Sequence, residues 1–269
     1  MDYEQVSRLM LTAVRAALSA GREIMEVYSR SDYSLEYKAD ESPLTEADQR
    51  AHALIAKELA GTGIPVLSEE GRDIPFFIRK DWNRLWIVDP LDGTKEFIKK
   101  NGEFTVNIAL VQEQSPLFGV VYAPDLKRLY FGGPGPGSYT CLIPGKSLPG
   151  DIRELIQSSK RLPLQLTRSA YVIVGSRSHA TPELHEFVEA KKKQHREVQF
   201  VSAGSSLKIC RVAEGSADIY PRLGPTMEWD TAAGHGIAVG AGKTVCVWED
   251  GSPLFYNREN LLNPWFVVH

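Results

Sequence analysis

The hydrophobic pattern of the chain changes rhythm near its middle, and this change constrains the fold more than any other sequence feature. Before it, five short β-rich runs follow one another with only Gly, Pro and Asn-Gly turn signals between them, at residues 65–69, 85–89, 104–112, 117–122 and 128–131. Short connectors favour antiparallel pairing of neighbouring strands. After it, strands alternate with helices, which is typical of an α/β layer. The sequence therefore predicts an antiparallel sheet followed by an α/β half.

Helices complete this outline. Apolar residues recur at three- and four-residue steps from Val6 to Val27 and predict a long amphipathic first helix. Thr45 and Asp48 form a capping-box pattern that predicts a second helix running through Leu59. The second half is expected to hold strands at 171–175, 198–201, 218–220 and 244–248, and helices at 182–193, 206–214 and 230–239. A Gly/Pro-rich stretch at 132–163 suggests a division into residues 1–155 and 156–269.

Composition excludes several classes of protein. The 269 residues include 31 Lys and Arg against 34 Asp and Glu, a net charge of −3, so no basic field would attract a polymeric nucleic acid. Three cysteines, Cys141, Cys210 and Cys246, lie far apart without C-x-x-C spacing, which argues against a disulfide framework or a thiolate zinc site. No run of about 18 apolar residues predicts a membrane-spanning helix. A cytosolic protein in a reducing compartment is expected.

The sharpest local motif runs from Trp86 to Phe97. An apolar strand leads into Asp89, Pro90 and Gly93 force a tight turn, and Thr94 opens a short helix. Such a turn lets Asp89 and Asp92 face one point, where two carboxylates about 4 Å apart repel by ~4 kcal/mol at an effective dielectric of 20. Both stay ionised only beside a cation, and hard oxygen ligands suit Mg²⁺. Alternatively, the two residues simply cap a turn and a helix.

Two further acids stand at the ends of predicted elements. Glu69 closes a strand and Asp230 opens a small-residue helix; either could be solvated or complement a helix dipole.

Two other motifs resemble known phosphate sites but do not match them. Gly145-Lys146-Ser147 resembles the end of a phosphate-binding loop, but Thr140 stands where its first glycine is required. The D-x-x-D spacing of Asp89 and Asp92 is one residue longer than the D-x-D of haloacid-dehalogenase phosphatases, which argues against a phospho-aspartyl intermediate.

Taken together, three segments resemble the inositol monophosphatase superfamily of Mg²⁺-dependent, lithium-sensitive phosphatases, in order and separation. They are Glu69-Glu70, Asp89-Pro90-Leu91-Asp92-Gly93-Thr94 and Trp229-Asp230-Thr231-Ala232-Ala233-Gly234. Lys95-Glu96-Phe97 is similar to the 3′(2′),5′-bisphosphate nucleotidase branch, whereas inositol-type members usually carry Asn before the Phe. The likeness spans nearly the whole chain. It implies a layered α-β-α-β-α sandwich, an α+β or α/β fold, with the active site between its halves.

The resemblance also implies roles for individual residues. Glu69, Asp89 and the Leu91 carbonyl would hold one Mg²⁺, and Asp89, Asp92 and Asp230 a second, with a third, weaker ion near Glu69. Asp48 and Thr94 would orient a metal-activated water for in-line attack on phosphorus, with Glu69 also counted among the catalytic residues. The residues implied to contact the substrate are Leu91, Asp92, Gly93, Thr94, His179, Ser205, Ser206, Lys208, Arg222 and Asp230.

The implied substrate is 3′-phosphoadenosine 5′-phosphate, converted to AMP and phosphate, with its sulfated analogue as a second substrate. Ser205, Ser206, Lys208 and Arg222 would hold the 5′-phosphate, and His179 would stack on adenine. Taken alone, Lys208 is an ordinary surface lysine. The alternatives are an inositol monophosphatase or sugar bisphosphatase, or a non-catalytic metal- and nucleotide-sensing module. Members of this type are sometimes linked to the cytoplasmic face of the inner membrane, but the sequence shows no lipidation motif or anchoring helix.

Overall fold

The computed structural model describes residues 1–30, 35–37, 43–145, 148–176 and 181–269. The helices are α1 (Tyr3–Tyr28), α2 (Glu46–Ala60), α3 (Phe76–Arg79), α4 (Thr94–Ile98), α5 (Ile152–Gln157), α6 (Pro182–Gln194), α7 (Leu207–Glu214) and α8 (Glu228–Gly240). The strands are β1 (Leu35–Tyr37), β2 (Pro43–Thr45), β3 (Val66–Ser68), β4 (Arg84–Asp92), β5 (Thr105–Gln112), β6 (Ser115–Ala123), β7 (Arg128–Gly133), β8 (Gly137–Leu142), β9 (Lys160–Arg161), β10 (Tyr171–Gly175), β11 (Val198–Ser202), β12 (Tyr220–Arg222), β13 (Val245–Val247) and β14 (Phe266–Val268).

A seven-stranded sheet in the order β3-β4-β5-β6-β7-β8-β9 forms the centre of the molecule. The predicted antiparallel pairing is confirmed from β4 to β7 and continues to β9, whereas β3 and β4, the first pair of predicted strands, are parallel. Helices α1 and α2 cover one face, where Trp86, Val88 and Phe118 are fully buried. Large apolar side chains on alternate strand positions therefore build the first layer of the core.

Helices α7 and α8 cover the opposite face through smaller side chains. Ile87, Ala109 and Val121 of the sheet pack there against Ala232 and other residues of α8. A Cβ on Gly119 of β6 would overlap the Ala233 carbonyl, so only glycine allows this close approach. As a result α8 lies unusually close to the sheet.

The second half adds a further β layer beyond α7 and α8. Strands β10 and β11 pair parallel, and an isolated bridge between Ile173 and Ile219 connects β10 to the segment entering β12. Strand β14 lies between β12 and β13 and pairs antiparallel with both. Helix α6 contacts this half through Phe187, whose ring meets Trp248 edge-on. The layered α-β-α-β-α architecture implied by the sequence is confirmed.

Some elements escaped prediction for identifiable reasons. Strands β8 and β9 and helix α5 lie within the Gly/Pro-rich stretch, whose glycines form the hairpin in which Gly133 faces Gly137. Strand β12 is shifted two residues from the predicted 218–220 and contains Pro221, which pairs with Val267 at a sheet edge. The division at residues 155 and 156 stays a prediction. Strand β9, which follows that position in the chain, joins the first sheet. Within the described ranges, no helix is long and apolar enough to cross a bilayer.

Candidate active site

The period-two alternation of β4 sets the position of the first acid. Trp86 and Val88 point towards α1 and α2, and Leu85 and Ile87 towards α7 and α8. The alternation places Asp89 on the α7–α8 face, where it is 1% exposed and pairs in register with Asn107 of β5. The pairing register then shifts before Asp92, so the chain turns out of the sheet.

The turn that follows matches the predicted strand–turn–helix motif. The Leu91 N–H donates to Oδ1 of Asp89 at 3.0 Å, which fixes that carboxylate. Gly93 has φ +92°, a left-handed conformation that favours glycine, and Thr94 begins α4. Asp89 and Asp92 are thereby presented on one side of the turn.

Asp230 reaches the same point from α8. One carboxylate oxygen from each of Asp89, Asp92 and Asp230 lies within 4.8 Å of the others. Oδ2 of Asp230 also accepts from the Met227 N–H at 2.9 Å, so this side chain caps the helix as well. The glycine contact at Gly119 sets how closely α8, and with it Asp230, approaches β4.

The electrostatics of this cluster call for a cation. The pKa of Asp89 is raised well above its usual range, first by burial and then by Glu69, Asp92 and Asp230. Burial, and then Asp92, likewise raise the pKa of Asp230. Without a positive partner the cluster would hold protons rather than three negative charges. Glu69, which hydrogen-bonds Asp89, and the Leu91 carbonyl offer further hard oxygen donors, and this donor set fits Mg²⁺.

A buried polar network fixes Asp92. Its Oδ2 accepts from the Ser206 N–H at 2.6 Å and from Nδ2 of Asn107 at 3.2 Å. Asn107 also donates to Oγ of Ser206 at 2.9 Å, and that hydroxyl donates to the Asp230 carbonyl at 2.6 Å. Oγ1 of Thr105 lies 3.0 Å from Oδ1 of Asn107. The network joins β4, β5, α7 and α8 directly behind the carboxylates.

Asp48 and Thr94 form a pair beside the cluster. Oγ1 of Thr94 lies 3.3 Å from Oδ1 of Asp48 and 3.4 Å from the Leu91 carbonyl. The other oxygen of Asp48 accepts from the N–H and hydroxyl of Thr45, at 2.8 and 2.5 Å, so the predicted capping box is present as well. Burial, partly offset by these hydrogen bonds, raises the pKa of Asp48 to about 6. One side chain therefore serves both the helix end and Thr94.

A cavity of about 140 Å³ opens beside the cluster. Asp92 and Asp230 line it with carboxylates, and Lys208 and Arg222 line it with cations. Its lining is completed by Gly93, Glu96, Ser176, Gly204, Ser205, Ser206, Ile209, Tyr220, Thr226, Thr231 and Phe266. The cavity therefore offers carboxylates suited to a metal and cations suited to an anion.

The two cations differ in their fixation. Lys208 is only 8% exposed, so it is not the surface lysine that the sequence alone suggested. Its Nζ donates to the Ser205 carbonyl at 2.7 Å and lies 5.8 Å from the centre of the Tyr220 ring. Burial lowers its pKa to about 8. Nε of Arg222 is buried without a hydrogen-bond partner in the described part of the chain, while another guanidinium nitrogen donates to the Pro225 carbonyl at 2.5 Å.

Comparison with known proteins identifies the family. The model of the inositol monophosphatase family matches residues 5–265. The chain belongs to this family.

Relatives and solved structures agree with that membership. The chain is 47% identical over 257 residues to the 3′(2′),5′-bisphosphate nucleotidase CysQ of Salmonella typhimurium, covering 94% of this chain and 96% of that protein. The crystal structure of CysQ from Bacteroides thetaiotaomicron superposes with a TM-score of 0.91 at 51% identity, covering 98% and 97% of the two chains. The suppressor protein SuhB of Bartonella henselae gives a TM-score of 0.74 at 26% identity, covering 97% and 93%.

The inositol monophosphatase family is metal-dependent, and the acidic cluster is where its motif residues converge in this chain. Ser205 and Ser206 lie at the cavity, but their hydroxyls are engaged by the protein. Oγ of Ser205 lies 2.8 Å from the Asp92 carbonyl and 2.7 Å from that of Glu103. His179 lies outside the described residues.

Sequence reasoning overlooked Asn107 and Glu96, although Glu96 lies inside a segment that carries the family resemblance. A polar residue in the otherwise apolar run of β5 was the available signal for Asn107. An acid directly after the metal turn was the signal for Glu96. The partners of Asn107 could not be assigned without the pairing register of β4 and β5, and the place of Glu96 in the cavity depends on how distant segments pack.

Proposed function

We propose that this chain is a Mg²⁺-dependent 3′(2′),5′-bisphosphate nucleotidase that converts 3′-phosphoadenosine 5′-phosphate to AMP and phosphate, with the sulfated analogue as a second substrate. The cavity that joins the carboxylate cluster to Lys208 and Arg222 carries this proposal. A small-molecule phosphomonoester fits a family of phosphatases, and a second phosphate accounts for the two cations that line the same cavity. The 47% identity to a nucleotidase supports the same substrate class.

Glu69, Asp89 and the Leu91 carbonyl would hold one Mg²⁺, and Asp89, Asp92 and Asp230 a second, with a weaker third site near Glu69. When bound, these ions supply positive charge opposite the phosphate and lower the pKa of water. Buried acids with raised pKa values suit this task because ion binding relieves their mutual repulsion.

Thr94 and Asp48 would position the attacking water. The Asp48 carboxylate can accept the Thr94 proton, which leaves the Thr94 oxygen lone pairs directed at the water. The leaving ribose hydroxyl departs opposite the attacking oxygen, so inversion at phosphorus is expected. Asp92, Gly93 and the Leu91 carbonyl line the same turn and would flank the scissile phosphate.

The second phosphate would bind Lys208 and Arg222. Burial keeps water from competing for Lys208, and the buried Nε of Arg222 has no hydrogen-bond partner in the described part of the chain, so both cations are available to an anion. Ser205 and Ser206 would complete this pocket through the backbone turn that their hydroxyls hold in place. His179 would stack on adenine.

The three unpaired cysteines are consistent with a cytoplasmic location for the reaction.

The decisive experiment compares substrates under identical Mg²⁺. Phosphate release from 3′-phosphoadenosine 5′-phosphate should exceed release from inositol 1-phosphate by at least about tenfold in kcat/KM, since only the nucleotide offers a second phosphate to Lys208. Lithium should inhibit the reaction. Equal or greater activity on inositol 1-phosphate would instead support an inositol monophosphatase, and no release from any phosphomonoester would support a metal- and nucleotide-sensing module.

A further inference from the structure

One acid of the cavity has no place in the metal cluster. Glu96, in the first turn of α4, lines the cavity together with Lys208 and Arg222. A Cβ built on Gly93 would lie 3.4 Å from its Oε2, and one built on Gly204 would lie 2.9 Å from its Cγ. The carboxylate therefore lies between two glycine backbones, next to the turn that carries Asp92.

The position of this acid is unusual for a site that binds anions. Within the ranges that the structure describes, no donor lies within hydrogen-bonding distance of the Glu96 carboxylate, while the neighbouring acid Glu103 accepts from the Gly204 N–H at 3.0 Å. An ionised carboxylate only accepts hydrogen bonds, and it repels phosphate oxygens. Whatever part of the substrate faces Glu96 must therefore be a hydrogen-bond donor.

The donors of a nucleoside bisphosphate are its free ribose hydroxyl and the exocyclic amine of the base. Glu96 lies beside Gly93, in the turn that carries Asp92, one of the acids that the scissile phosphate must meet. The substrate donor nearest that phosphate is the hydroxyl on the adjacent ribose carbon. The base lies farther along the nucleotide, away from the metal turn.

We propose that Glu96 is a specificity residue that accepts a hydrogen bond from the ribose hydroxyl adjacent to the scissile phosphate. The inference rests on the proposed function. It makes the enzyme selective for ribonucleotides, because a 2′-deoxy substrate leaves the carboxylate facing the cavity without a donor. A Gly at position 93 and a Gly at position 204 leave the space in which this acid lies.

The test compares adenosine 3′,5′-bisphosphate with 2′-deoxyadenosine 3′,5′-bisphosphate at saturating Mg²⁺. We expect the parental enzyme to favour the ribonucleotide by about 10- to 100-fold in kcat/KM, the range for a hydrogen bond to a charged acceptor. Glu96→Ala should abolish the preference by slowing the ribonucleotide alone. Glu96→Gln, which keeps an acceptor oxygen without the charge, should retain part of it. Glu249→Ala, which removes an exposed negative charge elsewhere, should retain all of it.

The outcomes separate the two hypotheses. If the parental enzyme hydrolyses both nucleotides at similar rates, or if Glu96→Ala changes both rates by the same factor, Glu96 acts only as a charge near Lys208 and the inference is wrong. The proposed function survives that result. If neither nucleotide is hydrolysed while another phosphomonoester is, the proposed function is wrong and this inference fails with it.

Discussion

The two faces of the seven-stranded sheet are built on different principles, and adjacent residues of β6 show the contrast. Phe118 points towards α1 and α2, where its ring lies 5.8 Å from that of Trp86 within a core of large apolar side chains. Gly119 faces α8, where a Cβ would overlap the Ala233 backbone. The first face excludes water and stabilises the fold. The second gives up side-chain volume so that α8 can bring Asp230 to the turn after β4.

The difference shows how one strand can serve stability and chemistry at once. Each strand residue faces one side only, so selection of large side chains on one face leaves the other free for polar groups. Asp89 and Asn107, which pair across β4 and β5, both use the α7–α8 face. Substitutions on the two faces should therefore have separable effects, on catalysis and on the free energy of unfolding.

The largest effect is expected for Asp92→Asn on the α8 face. The substitution keeps the shape of the side chain but removes a charge that would bind Mg²⁺. It can also place an NH₂ group opposite the N–H donors of Ser206 and Asn107, which now donate to the carboxylate. We expect kcat to fall at least ~100-fold. This corresponds to a rise of about 3 kcal/mol in the activation free energy, at about 1.36 kcal/mol for each factor of ten. Steady-state phosphate release checks this. The exposed Asp81→Asn is the matched control, and near-parental turnover at saturating Mg²⁺ would refute the role of Asp92.

The neighbouring pair on β6 tests the comparison itself. Gly119→Ala should push α8 from the sheet and lower kcat more than about tenfold, because a displacement of Asp230 near 1 Å misplaces the site. Phe118→Leu should lower the free energy of unfolding by about 1 kcal/mol and leave kcat of the folded enzyme unchanged. Urea unfolding and kinetics on the same samples separate the two. Equal loss of kcat in both variants would show that the faces are not independent.

The sequence predicted helices α1 and α2, the antiparallel sheet and the metal turn, because each depends on nearby residues. Asp89, Asp92 and Gly93 are neighbours, and their backbone requirements are local. What the sequence could not show depends on packing between distant segments. Asn107 becomes a partner of Asp92 only through the register of β4 and β5. Lys208 is buried in a helix whose start is joined to the turn by the Ser206 N–H and Asp92, a contact between distant segments. The family resemblance supplied the convergence of Asp230 with the turn, which periodicity alone did not.

A smaller effect is expected for Lys208, one of the two cations that line the cavity. Lys208→Ala should raise KM for 3′-phosphoadenosine 5′-phosphate by about tenfold and leave KM for a small monophosphate nearly unchanged, because only the nucleotide has a second phosphate to lose. Initial rates over a range of each substrate measure this split, with the exposed Lys57→Ala as control. Because Nζ also donates to the Ser205 carbonyl, an equal rise for both substrates would indicate that Lys208 supports the turn rather than the nucleotide.

The smallest effect concerns pH, and it should arise from the buried acids around the metal turn, including Asp48 of α2. The folded protein raises the pKa values of Asp89, Asp230 and Asp48, the last to about 6 from an ordinary 3.8. Because folding binds protons at these groups, their stabilisation is present below about pH 4 and is lost as pH rises through the folded pKa values. In chelator, Tm should therefore fall by a few °C between pH 5 and pH 8, on the order expected for a loss of about 1 kcal/mol in the free energy of unfolding.

Added Mg²⁺ should stabilise the protein more at pH 8 than at pH 5, since it binds the ionised carboxylates. Phe118→Leu should lower Tm by the same amount at every pH. A Tm in chelator that rises over this range, or a stabilisation by Mg²⁺ that is greatest at pH 5, would contradict the assignment of the acidic cluster as a cation site.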